Sequence, residues 1–109
     1  MKVKTAYDEY TITRLEIGKY SYGDNLAIEL ICFNEDWETE EPFATLTVNL
    51  NYGIPLKENE AFIDVNNCPW AIDFIKSNKL GEYMGIECPS GYCKYPLYSF
   101  DLDKLRRLK

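Results

Sequence analysis

Residues 43–50 alternate with a period of two, with Ala44, Leu46, Val48 and Leu50 on one side and Thr45, Thr47 and Asn49 on the other. Such a run buries a single face only as a β-strand, because successive strand side chains point to opposite faces. A lone strand is not stable, so the chain must supply partners for it, and suitable segments precede it. Residues 10–19 carry the β-branched Thr11, Ile12, Thr13 and Ile17 and read as a strand. Residues 26–33 set Leu26, Ile28, Leu30 and Cys32 on one face and Ala27 and Ile31 on the other, the pattern of a central strand covered on both sides. Gly23, Asp24 and Asn25 supply turn chemistry between them, and residues 34–42 form an acidic hairpin loop. The three segments are expected to make an antiparallel meander.

The second half mixes periods. A loop with Gly53 and Pro55 leads to a short strand at 61–65. Residues 68–80 then read as a helix. Asn67 or Cys68 serves as its N-cap, Pro69 falls in the first turn, and Trp70/Phe74 and Ala71/Ile75 are i,i+4 pairs. Lys76 and Lys79 lie near its C-terminal end and Gly81 fits the position just past it. Residues 82–87 read as a short strand and 88–93 as a turn. Residues 92–100 read as a strand that Pro96 confines to an edge or a bulge. Asp101 caps a short terminal helix bearing Leu102, Leu105 and Leu108. The expected fold is a single α+β domain over residues 1–109. A twisted antiparallel sheet carries one helix on a face through Trp70, Phe74 and Ile75, and a short C-terminal helix follows. A chain of this size buries roughly 65% of its unfolded surface, and a 46% hydrophobic composition with sixteen aromatic residues suits that core.

Charge and chemistry narrow the function. The net charge is −6, which argues against direct binding to nucleic acid or an anionic membrane, since both need clustered Lys and Arg. No run approaches the roughly 18 apolar residues of a membrane span, and no apolar segment follows the first residues. The expected compartment is therefore the cytoplasm, where Cys32, Cys68, Cys88 and Cys93 remain reduced. There is no histidine, so the commonest general base and the Ser-His and Cys-His dyads are missing. No phosphate-binding or nucleophile motif occurs either. The expectation is a non-enzyme with no catalytic residue and no cofactor. Cys88 and Cys93 are the only close cysteine pair, and a zinc site wants four N/S ligands, so no metal is expected. A small metal-binding or redox module centred on these two cysteines is kept as an alternative. Tyr83, Tyr92, Tyr95, Tyr98 and Phe100 could stack bases, but Lys94 is the one cation among them, so they are read as core.

The distribution of charge says more than its sum. Between Lys19 and Lys57 there is no basic residue. The loop there gathers Glu35, Asp36, Glu38, Glu40 and Glu41 around Trp37, while Lys104, Arg106, Arg107 and Lys109 collect at the other end of the chain. The plain reading of the loop is a solvated hairpin tip. The sharper reading is a partner-binding surface, with Trp37 as the anchor and the five carboxylates steering a basic target.

Four blocks resemble an uncharacterised family of small bacterial proteins, a domain of unknown function found in gut bacteria and near mobile elements. They are Asn25-Leu-Ala-Ile-Glu-Leu, Pro42-Phe-Ala-Thr-Leu-Thr-Val-Asn-Leu, Ala61-Phe-Ile-Asp-Val-Asn-Asn-Cys-Pro-Trp and Ser90-Gly-Tyr-Cys-Lys-Tyr-Pro-Leu-Tyr-Ser-Phe-Asp-Leu. The resemblance brings no catalytic residues. It implies an accessory protein of a mobile element. With the acidic loop, that yields a non-enzymatic, protein-binding inhibitor of a nucleic-acid-binding protein, of the anti-CRISPR kind. A structural subunit that self-associates through an edge strand is the remaining alternative.

Overall fold

The computed structural model describes residues 1–5, 8–21, 25–50 and 55–108. Gly23, Asp24, Gly53 and Lys109, which the sequence assigns to turns and to the cationic cluster, lie outside the described residues. The fold is α+β, with eight antiparallel-paired strands in two four-stranded sheets and two short helices among the described residues. The first sheet is a meander of β1 (Lys2–Lys4), β2 (Glu9–Lys19), β3 (Leu26–Asn34) and β4 (Thr39–Thr45), in that order. The second holds β5 (Thr47–Val48), β6 (Glu60–Ile63), β7 (Gly81–Ser90) and β8 (Cys93–Phe100) in the order β5-β6-β8-β7. Helix α1 (Ala71–Ser77) joins β6 to β7, and α2 (Leu102–Arg107) follows β8. Both β6 and β7 run antiparallel to β8, so they are parallel to one another with α1 as their crossover and β8 inserted between, a split βαβ arrangement.

The segment read as one strand over 43–50 is two. Its alternation breaks at Leu46, where Leu46 and Thr47 are both buried. The Leu46 N–H donates to the Ile28 carbonyl on β3, and the Leu46 carbonyl accepts from Asp64 N–H just past β6. The chain thus leaves the first sheet and enters the second at this residue. Thr47 can follow it inward because its hydroxyl is satisfied. Its Oγ1 accepts from Ile28 N–H at 3.2 Å and lies 3.0 Å from the Tyr20 hydroxyl.

One main core lies between the sheets and helices. Val3, Leu15, Ile28, Leu30, Leu46, Ile63, Ile75, Leu80 and Leu105 are its most buried side chains. Tyr10, Phe43, Trp70 and Phe74 form a ladder of ring contacts at 4.7, 5.5 and 6.0 Å, so α1 packs through the face expected of it. A second cluster of Phe62, Cys88 and Leu97 lies apart from that core.

The caps of α1 differ from expectation. Its N-cap is Trp70, with no side-chain bond, in place of Asn67 or Cys68. The turn before it is organised by Asp64, whose carboxylate accepts from the N–H and the amide nitrogen of Asn67. At the other end, Lys79 and not Gly81 takes the left-handed position, at φ 51°. Leu80 N–H donates to Ile75 O and Lys79 N–H to Lys76 O, which is a Schellman cap. Gly81 instead starts β7, where a Cβ would come within 2.5 Å of the Ser99 carbonyl. The 88–93 turn is also shorter than expected. Residues 88–90 are strand, and the hairpin turns only at 91–92. Pro96 does sit at a bulge, although β8 is an interior strand. Three residues of β7 (84–86) there oppose a single residue of β8, and Gly85 takes up the distortion at φ 79°.

Candidate functional site

The β3–β4 hairpin carries the acidic loop. Asn34 pairs with Thr39 across its mouth, so the loop proper is residues 35–38, and Thr39–Pro42 belongs to β4. Asn34 shapes the turn from within. Its Oδ1 accepts from Asp36 N–H at 3.0 Å and Trp37 N–H at 3.4 Å, and its amide nitrogen donates to Glu41 at 3.2 Å. Glu38 then closes the loop in the left-handed region at φ 52°, a conformation that costs a residue with a Cβ about 1–2 kcal/mol. Together these bonds fix the backbone beneath Trp37, whose ring stays 77% exposed.

The six sequence-selected residues divide into two groups. Glu35, Asp36 and Glu38 surround Trp37 at the tip and make no ion pair with any described residue. Glu40 points instead to the outer face of the sheet. It accepts from the Thr13 hydroxyl at 2.8 Å and from Arg14 Nε at 3.2 Å. The Thr13 hydroxyl and then Arg14 hold its carboxyl below the usual carboxylate range. Arg14 also binds Glu16 at 2.7 Å. Glu41 takes the Asn34 amide and, after burial, is the second influence raising the Cys32 thiol. Among the described residues, the cationic end of the chain does not neutralise the tip. Lys104 Nζ donates to the carbonyls of Asn78 and Lys79 at the end of α1, and Arg106 faces Asp103 at 3.9 Å.

Sequence reasoning missed what lies beside the loop. Phe33 is exposed, and with Tyr10, Thr13 and Glu35 it borders a hollow of about 500 Å³. Nothing in the sequence spacing brings Tyr10 to Phe33, since the two meet only through the β2–β3 register. The aromatic run of the second sheet splits likewise. Tyr98 and Phe100 are core, as read, whereas Tyr83 and Tyr92 are exposed along with Met84 and Ile86. Cys88 lies opposite Tyr95 and Cys93 opposite Ser90, so the two thiols are not cross-strand partners. All four cysteines are free, and no group of three or more Cys, Asp and Glu converges among the described residues. No helix among them is long and apolar enough to cross a membrane.

No curated protein and no solved structure matches the chain. One family model does, over residues 14–109. The chain belongs to that family, a domain of unknown function (DUF4313).

Proposed function

We propose that this member of the family is a non-enzymatic binding protein that docks on a basic surface of another protein through the β3–β4 hairpin tip. The observation that carries this reading is an exposed Trp37 on a hydrogen-bonded turn, ringed by the unpaired Glu35, Asp36 and Glu38. A large exposed aromatic side chain on a hydrogen-bonded turn is the kind of residue that anchors interfaces, and unpaired carboxylates around it raise the encounter rate with a cationic partner. The partner class that fits is a nucleic-acid-binding protein, whose basic groove such a tip can occupy in competition with phosphate. Together with the mobile-element setting that the sequence blocks imply, this makes the protein a cytoplasmic inhibitor of the anti-CRISPR kind.

The test is capture of partners from the native host by wild type, by Trp37→Ala and by the triple variant Glu35→Lys/Asp36→Lys/Glu38→Lys. Glu40 is left intact because Arg14 holds it. The partner taken by wild type should associate more slowly with the triple variant and leave Trp37→Ala faster. Its binding should weaken as salt shortens the Debye length from about 10 Å at 0.1 M to about 3 Å at 1 M, and nucleic acid should displace it. Equal binding by both variants would reduce the loop to a solvated turn.

One observation favours the self-associating alternative. Strand β7 is the last strand of its sheet among the described residues and is ten residues long, with Tyr83, Met84 and Ile86 exposed on it. The bulge at 84–86 works against strand pairing there, as bulges on edges do. Solution mass across a concentration series separates the two readings.

A further inference from the structure

We infer that the cleft between the end of β2, the start of β3 and helix α2 is a binding site for a small apolar carboxylate. The cleft encloses about 330 Å³, within the range of small-ligand sites. It lies at the opposite end of the β2–β3 pair from the acidic tip. Its floor is the rim of the main core. Leu26 is buried there, and Ile17 and Leu102 pack half-buried against the core. Lys19, Arg106 and Glu58 line its mouth. Among these lining residues the cations outnumber the carboxylate, and Asp103 meets Arg106 only at 3.9 Å from outside the lining, so the mouth offers two cationic groups to an anionic ligand.

The walls are fixed by bonds that have no part in the proposed ligand. Lys19 and Leu26 are cross-strand partners. Helix α2 is tied to β2 by Leu15 N–H donating to the Leu108 carbonyl. The loop that carries Glu58 is tied to the end of β8, just before the Asp101 cap of α2, by a reciprocal pair, Phe100 N–H to the Asn59 carbonyl and Asn59 Nδ2 to the Phe100 carbonyl. The cleft is therefore preformed. The cations at its mouth are available. Lys19 makes no ion pair among the described residues. Arg106 makes only the 3.9 Å contact to a largely solvated Asp103, a kind of pair that contributes little and leaves the guanidinium fork free for a bidentate carboxylate. An apolar tail on Ile17, Leu26 and Leu102 with its carboxylate on Arg106 and Lys19 uses the apolar floor and both cations of the cleft. The cleft differs in place and in sign from the tip, so the inference stands apart from the function proposed above.

Titration of labelled wild-type protein with hexanoate, followed by amide NMR, tests it, with hexanol as the uncharged probe of the same length. Hexanoate should move the amides of Ile17, Leu26, Leu102 and Arg106 along a saturable curve. Hexanol should bind at least about tenfold more weakly, and Arg106→Gln and Lys19→Gln should each weaken hexanoate by about tenfold. Both substituted positions are exposed, so both variants should fold. Equal binding of hexanol and hexanoate, shifts centred elsewhere, or unchanged binding by the two variants overturns the assignment.

Discussion

The two tryptophans of this chain sit in regions that solve opposite problems. Trp70 is half-buried within the ladder Tyr10–Phe43–Trp70–Phe74, where each ring covers its neighbour. Trp37 is 77% exposed and touches no other ring among the described residues. The residue is the same, so its surroundings make the difference. Trp70 has Phe74 four positions on and a helix to present both to the core. Trp37 has carboxylates before and after it, and a turn that lifts it clear of the sheet. The Trp70 region holds the fold together, whereas the hairpin tip can change without cost to it.

The contrast breaks if the two regions respond alike to substitution. The largest effect belongs to the ladder. Phe74→Ala should lower unfolding free energy by about 3–5 kcal/mol in denaturant melts, as expected for a buried aromatic. Next comes the joint between the sheets. Thr47→Val removes the hydroxyl to which the buried Ile28 N–H donates, while the Tyr20 hydroxyl keeps the Thr47 carbonyl at 3.1 Å, and should cost about 1–3 kcal/mol. Removing the α2 cap with Asp101→Ala, which loses the bond from Lys104 N–H, should cost about 1 kcal/mol. Trp37→Ala should stay within about 0.5 kcal/mol of wild type. A loss at Trp37 comparable to that at Phe74 would abolish the distinction.

A pH series sharpens it further. Burial, and then Asp64, pushes the Cys68 thiol up to about 11. The unfolded chain loses this proton near pH 9 while the fold retains it. Stability contributed by the neutral thiol is therefore intact below pH 9 and declines from there to about 11. Cys68→Ala should show a shallower alkaline decline than wild type in the same melts. At the tip the effect runs the other way. The lowered Glu40 carboxyl contributes above the ordinary glutamate range, and that contribution is lost as pH falls through it. The exposure of its side chain keeps the change small.

The fold was legible where one face of a strand is greasy and the other is not. Residues 26–33 gave the central strand within one residue of its end, and Asp101 marked α2 correctly. The reading failed where tertiary contacts decide. Lys2–Lys4 carries a single apolar residue, and only pairing with β2 makes it a strand. The 43–50 alternation hides a change of sheet, because Thr47 is buried by hydrogen bonds that composition does not reveal. Gly81 looked like a helix stop but is needed for a close backbone approach. At the candidate site the acidic loop was plain from composition. The division of its carboxylates was not, since the partner that removes Glu40 from the tip is Arg14, 26 residues away.

The passage of the chain through Leu46 has a consequence for the order in which the protein becomes itself during synthesis. Strands β2, β3 and β4 leave the ribosome early, yet the inner face of their sheet is completed by residues that follow Leu46, from Ala61 to Leu105. At roughly 5–20 residues per second, Leu15, Ile28 and Leu30 wait several seconds in water for their cover. The bulges at Thr13 in β2 and Phe43 in β4, and the charges and proline along β4, fall where a half-made sheet would otherwise recruit a neighbour. The nascent chain is thus guarded against its own kind while its second half is still being made.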